Sequence, residues 1–208
     1  MWDLMPKKFQ LTVIFVTGMI GVRAYDAVTT FLMEKPVSFW SELSFAILLV
    51  GTIVYVLAEW LWRPIWQRAP YLKRRLFPYL NGSWEGTLLS TWIDPTTGQP
   101  RPPIPTTFKI RQGLFQTSVT MATGESDSHS TNLVLQRYPE WDCFRIWYSY
   151  ENGPKQVYRN RSPGHDGVAY LEFDASGEAN HLTGRYFTER QTSGDIDIRR
   201  VSLEVAKK

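Results

Sequence analysis

The sequence predicts an N-terminal two-helix transmembrane hairpin followed by an all-β domain. That domain reads as an eight-stranded up-and-down antiparallel β-barrel, with one further run that would make nine strands. Three observations predict this. Two apolar runs of helical length fall within the first 62 residues. From Asn81 on, short runs rich in Thr, Val, Tyr, Phe and Trp alternate with turn residues. The charge splits at the same boundary: residues 1–80 hold nine Lys/Arg against five Asp/Glu, and residues 81–208 hold fourteen against fifteen. The basicity therefore belongs to the N-terminal part. A polyanion-binding face on the C-terminal part is not indicated, which argues against polymeric nucleic acid as a partner.

The first run, residues 11–32, is LTVIFVTGMIGVRAYDAVTTFL. As a helix it is about 33 Å long, enough to span a bilayer. It is too long for the apolar core of a signal peptide, and no small-residue cleavage site follows it. The second run, residues 39–62, has Trp40, Trp60 and Trp62 at its edges, as an aromatic belt requires. Between them Glu34-Lys35-Pro36 makes a turn, because proline cannot continue a helix.

Lys7 and Lys8 precede the first span, and Arg63, Arg68, Lys73, Arg74 and Arg75 follow the second. The positive-inside rule then puts both termini of a two-span membrane protein in the cytoplasm. The basic stretch should rest on anionic headgroups, at roughly 1 kcal/mol per side chain. Residues 63–80, with three prolines and several aromatics, read as a connector with a short helix near Tyr71–Phe77.

Arg23 and Asp26 interrupt the first span. Each costs about 2.5–3.5 kcal/mol at a helix centre. Three residues apart, they share one face and can pair. One reading is a self-neutralised pair packed against the second helix. The other is a polar contact between subunits, or a polar lining exposed when helices reassemble. Thr17, Gly21 and Ala24 form a small-residue stripe on roughly the opposite side, where another helix could approach closely.

In the C-terminal part the runs are SWEGTLLSTW, IPTTFKIRQ, LFQTSVTMAT, HSTNLVLQRY, CFRIWYSYE, KQVYRNR, VAYLEFD, NHLTGRYFTER and IDIRRVSLEV. Turn residues separate them, with DPTTGQPRPP as the longest loop. Consecutive hairpins favour a meander, and closure removes its edges. Alternation puts Leu182, Gly184, Tyr186, Thr188 and Arg190 on one face of their strand. It likewise groups Trp84, Gly86, Leu88 and Ser90, and Phe144, Ile146, Tyr148 and Tyr150. An interior mixing Trp, Tyr, Thr and Arg resembles a cup with stacking faces, hydroxyls and a guanidinium. Such groups suit bases and phosphates. Candidate ligand contacts are Trp84, Tyr148, Tyr186, Thr188 and Arg190.

Catalytic signatures are missing from the sequence. His129, His165 and His181 fall on or beside different strands and turns, with His165 read as a loop residue, and no HExxH, CxxC, GxSxG or P-loop pattern occurs. Asp195 and Asp197 read as a solvated outer face rather than a metal pair. The single Cys143 permits no intramolecular disulfide and reads as a strand residue. No enzyme, metal or cofactor is expected.

A two-helix hairpin, a basic connector and a small barrel opening NGSWEG and ending HLTGRYFTERQTSGDIDIRR form an unusual layout. It resembles the membrane effectors of bacterial CBASS antiphage systems, which join two transmembrane helices to a minimal lipocalin-like β-barrel. The resemblance implies that an infection-triggered nucleotidyltransferase makes a cyclic dinucleotide and that the barrel binds it. The protein then oligomerises, and its helices disrupt the inner membrane, killing the cell before phage matures. The alternatives are a membrane-tethered lipocalin-like module for an apolar ligand or a protein partner, and an anchored assembly subunit with no ligand.

Overall fold

The computed structural model describes residues 7–33, 38–69, 71, 77–160, 162–174 and 179–203. The predicted turn at Glu34–Pro36, the basic residues Lys73, Arg74 and Arg75, and most of the predicted helix near Tyr71–Phe77 lie outside the described residues. The chain divides into two compact units, Met1–Arg68 and Ala69–Lys208.

In the first unit, helix α1 spans Lys7–Met33 and α2 spans Phe39–Val56. Ser38 caps α2, its hydroxyl accepting from the Ser41 amide at 3.3 Å. A π-helical turn, Leu57–Leu61, leads into α3, Trp62–Arg68. Pro64 cannot donate to the carbonyl four residues back, and its ring would crowd that carbonyl. The widened turn just before it lets the helix continue, so it runs beyond the predicted end at Trp62. The apolar helical segments Lys7–Phe31 and Phe39–Arg68, 25 and 30 residues long, are long enough to cross a membrane. Thr12, Thr29, Ser44 and Thr52 each donate to the carbonyl four residues back at 2.8 Å, which satisfies those hydroxyls without water.

Gly21 lies where the two helices approach. A Cβ there would meet Leu49 Cδ2 at 3.1 Å and the Ala46 Cα at 3.5 Å. One turn on, Tyr25 stacks on Phe45 with ring centroids 4.6 Å apart.

The second unit is a closed antiparallel barrel in sequence order. Its strands are β1 (Gly82–Ser90), β2 (Ile104–Gln112), β3 (Thr117–Thr123), β4 (Ser126–Tyr138), β5 (Cys143–Pro154), β6 (His165–Asp174), β7 (His181–Thr188) and β8 (Ser193–Ser202). β1 pairs with β8 to close it. The run KQVYRNR is not a ninth strand; Gln156–Tyr158 is a 3-10 turn. The reason is topological: β5 pairs directly with β6 from Cys143↔Asp174 to Asn152↔His165, so the chain between them finds no strand edge to join. β5 instead extends through Asn152-Gly153-Pro154, expected as a turn, because β4 pairs with it from Tyr138↔Cys143 to Ser126↔Pro154.

One end of the barrel is plugged. Phe77 is fully buried and meets Phe144 and Phe173 edge-on, at 5.3 and 5.7 Å. Leu80 is also fully buried, and its amide donates to Gln112 Oε1 at 2.7 Å. Gln112, 1% exposed, also donates from Nε2 to the Pro78 carbonyl at 3.1 Å and from its amide to Asn81 Oδ1 at 3.2 Å. A buried amide side chain is tolerable only when bonded in this way. Above this stopper sits a dry layer of Trp84, Phe108, Ile110, Ile146, Leu171, Leu182 and Ile198, all almost wholly buried. The apolar core thus fills the half that holds Phe77 and Leu80 and leaves the other half for the site.

Candidate functional site

The far half of the barrel encloses a cavity of about 770 Å³, within the range of small-ligand sites. Alternation along β5 delivers Tyr148, Tyr150 and Asn152 to it, above Phe144 and Ile146 in the dry layer. β7 delivers Tyr186 and Thr188, β4 Ser126 and Ser128, and β1 Leu88 and Ser90.

Two tyrosines have a glycine opposite them. Tyr150 pairs with Gly167, and Tyr186 with Gly194. A Cβ on Gly167 would sit 2.5 Å from the Tyr150 ring, and one on Gly194 would sit 2.6 Å from the Tyr186 ring. Each ring therefore lies down over a strand where only glycine gives it room. Burial is the main force pushing the Tyr148, Tyr150 and Tyr186 hydroxyls above the ordinary tyrosine range. All three stay protonated, as neutral donors, at physiological pH.

Two arginines line the mouth. Arg101 sits at the end of the β1–β2 loop, which forms its own small hairpin closed by an Ile93–Pro100 bridge. Its Nη2 reaches Oε1 of Glu125 in the β3–β4 turn at 2.9 Å, and its guanidinium lies 5.9 Å from the Trp92 ring. Arg190, after β7, donates to the Pro163 carbonyl at 2.7 Å and to Nδ1 of His165. Asn152 Nδ2 also lies 3.3 Å from that nitrogen. Two donors on Nδ1 make it the acceptor and put the ring proton on Nε2. Burial first, and Arg190 second, lower the His165 pKa, so its ring is neutral. The remaining carboxylate, Asp94, accepts from the Thr96 hydroxyl at 2.6 Å and its amide at 2.8 Å, which lowers its pKa. The mouth thus presents two guanidinium groups, with both carboxylates already engaged.

Four of the five residues expected from the sequence, Tyr148, Tyr186, Thr188 and Arg190, converge on this cavity. Trp84 does not. It shares their inward face but belongs to the dry layer, where its indole donates to the Leu80 carbonyl at 3.2 Å and Arg200 lies 4.5 Å over its ring. Alternation gives the face of a residue, not its depth. Thr188 is partly engaged, 2.7 Å from the Thr192 hydroxyl. Arg101, Trp92, Glu125, Tyr150 and His165 also line it and were not among the candidates. Tyr150 carried the signal of alternation. Arg101 carried only its place in the longest connection, where binding residues concentrate.

Elsewhere, Asp195 and Asp197 are exposed on the outer wall, with Arg185 at 3.3 Å and His181 at 2.9 Å respectively. No group of three or more His, Cys, Asp or Glu among the described residues is placed to hold a metal. Cys143 is buried, and burial raises its pKa. On α1, Thr17 is half-buried, Gly21 is buried against α2, and Arg23, Ala24 and Asp26 are exposed. No ion pair joins Arg23 to Asp26 among the described residues. Lys7 and Lys8 open α1, and Arg63 and Arg68 lie on α3, Arg63 stacking 5.9 Å from the Trp62 ring.

Compared with known proteins, no curated protein matches the chain. The family model described as Cap15, cyclic dinucleotide receptor domain, matches residues 76–200, more than half of the chain.

Proposed function

The chain belongs to the Cap15 cyclic dinucleotide receptor domain family of CBASS effectors, and from that premise we propose that a cyclic dinucleotide enters the open half of the barrel and is held by Arg101 and Arg190. A cyclic dinucleotide carries two phosphodiesters and two bases. The observation that carries the reading is the pairing of two guanidinium groups with three neutral tyrosines in one closed-bottomed cavity. The arginines come from separate segments, one held at the β3–β4 turn and the other at the β5–β6 loop. Each faces one phosphodiester, with charge-assisted hydrogen bonds. Tyr148, Tyr150, Tyr186 and Trp92 supply stacking faces and hydroxyl or indole donors for the bases.

In this reading the barrel senses the messenger and the helices act. Ligand binding changes barrel–barrel contacts, the copies gather, and the collected hairpins breach the bacterial inner membrane. The infected cell dies before phage matures. Both termini are cytoplasmic, where the messenger is made, and the basic residues flanking the spans rest on anionic headgroups. A tethered carrier of an apolar ligand would want an apolar interior, whereas serines, tyrosines and arginines line this cavity.

The test is a thermal-shift screen of the full chain in lipid nanodiscs against cyclic di- and trinucleotides. At 100 times the dissociation constant, a ligand that binds only the folded state adds about 2.7 kcal/mol, a shift of several degrees for a barrel of this size. A shift with a cyclic dinucleotide that Arg101→Gln and Arg190→Gln each reduce supports the reading. A folded barrel that no cyclic nucleotide shifts overturns it.

A further inference from the structure

The charged face of α1 turns away from its own hairpin. Gly21 and Tyr25 mark the side of α1 that meets α2. At about 100° per residue, Arg23 lies about 200° around the helix from Gly21 and Asp26 about 140°. Their shared direction is nearly opposite the α2 contact. The α2 residues that meet α1 at this level, Phe45, Ala46 and Leu49, carry no charge. Both charged side chains are exposed, and no ion pair involves either among the described residues.

Their depth makes this matter. The middle of Lys7–Phe31 falls at Met19, so Arg23 and Asp26 lie about 6 and 10 Å beyond it along the axis. Both are inside a hydrocarbon half-layer of about 15 Å. An uncompensated charge there seeks a partner.

We propose that this face is an interface between two copies of the chain, α1 against α1 in parallel. Residues three apart differ in height by about 4.5 Å, well within the reach of an arginine side chain. About a two-fold axis along the membrane normal, Arg23 of each copy meets Asp26 of the other. One self-complementary contact then satisfies all four charges. Met19 and Thr30, both exposed, lie on the same line of the helix and flank the pairs above and below. The contact gives the assembly in the proposed function its first step. It rests on that reading only for its consequence in the cell, because the pairing itself requires no nucleotide.

Disulfide capture in vesicles of bacterial lipid tests it, using the full chain with Cys143→Ser and Thr30→Cys. Oxidation should link Thr30→Cys copies to each other and leave Ala24→Cys copies, about 60° from Gly21 on its other side, as single chains. Arg23→Asp and Asp26→Arg should each lose most of the link when reconstituted alone. Mixed one to one they should recover it between unlike copies, and a chain carrying both exchanges should link as the parent does. Efficient linking of either single variant alone, failure of the mixture or of the double exchange, or preferential linking through Ala24→Cys would each overturn the interface. Nucleotide binding, followed by thermal shift in the same vesicles, reports separately on the proposed function. A linked pair that binds no nucleotide would sink that function and leave the interface standing.

Discussion

Arg101 Nη2 lies 2.9 Å from Oε1 of Glu125, so a carboxylate of the cavity's own occupies one of its two guanidinium groups. Both side chains are about one-third exposed, at 38% and 31%, and such a pair is worth only about 0.2–1 kcal/mol. A phosphodiester can displace Glu125. Glu125→Gln should therefore strengthen cyclic dinucleotide binding by about 2- to 10-fold, because it frees Arg101 and removes a repelling charge. Arg101→Gln should weaken it by about 10- to 100-fold, the cost of one charge-assisted hydrogen bond. Calorimetric titration of the two variants checks the opposite signs; weaker binding by Glu125→Gln would count against the displacement.

His165 predicts a dependence on pH. Its folded pKa lies below the ordinary histidine value of about 6.5, so the unfolded chain binds more protons between the two values. Stability therefore rises with pH through that window and falls as pH drops below about 6.5. Ligand binding runs the other way. A bound dianion raises the imidazole pKa, so binding takes up a proton and tightens as the pH falls. Melting curves and titrations across pH 5–8 should show both slopes, and His165→Gln should flatten both.

Trp84 and Tyr186 share an inward face but should fail differently. Trp84→Phe removes the indole bond to Leu80 and weakens the contact with Arg200. The loss should be about 2–4 kcal/mol, on the order of 10 °C in Tm, with ligand affinity in the folded protein little changed. Tyr186→Phe should lower Tm by much less and weaken binding several-fold. A large affinity loss in Trp84→Phe at a temperature where it is folded would move Trp84 into the site.

Gly194 holds up the site from behind. A Cβ there would lie 2.1 Å from the Leu89 carbonyl as well as against the Tyr186 ring. Gly194→Ala should cost about 1–3 kcal/mol and weaken ligand binding too, since the ring must move. Gly153→Ala is the control, its Cβ meeting only the Asp127 carbonyl at 3.8 Å. Equal Tm values for the two alanine variants would contradict the packing described here.

Much of this was legible in the sequence. The alternation of Leu182, Gly184, Tyr186 and Thr188, and of Phe144, Ile146, Tyr148 and Tyr150, identified the inward faces because one face of a barrel strand must be interior. What misled was local preference without closure. KQVYRNR reads as a strand, yet β5 pairs directly with β6 and leaves it no place in the sheet. Residues 77–80 read as connector for their proline and aromatics, yet Phe77 and Leu80 are barrel core. Arg101 lies where no period reaches, and His165, read from the sequence as a loop residue, is the first residue of β6, paired with Asn152. The loop carrying Arg101 is ordered by its own turn and by Glu125 across the mouth, partners that meet only after folding. Gly21 shows the same limit on the helix: spacing marked it as small, and only packing named Ala46 and Leu49 as its neighbours.

The stopper at residues 77–81 has a mechanical consequence. Phe77 and Leu80 precede β1, so a pull applied on the N-terminal side of Phe77 loads the Gln112 hydrogen bonds and the aromatic clasp of Phe144 and Phe173 before it loads a strand. Those bonds act in parallel, so a pull must break several at once.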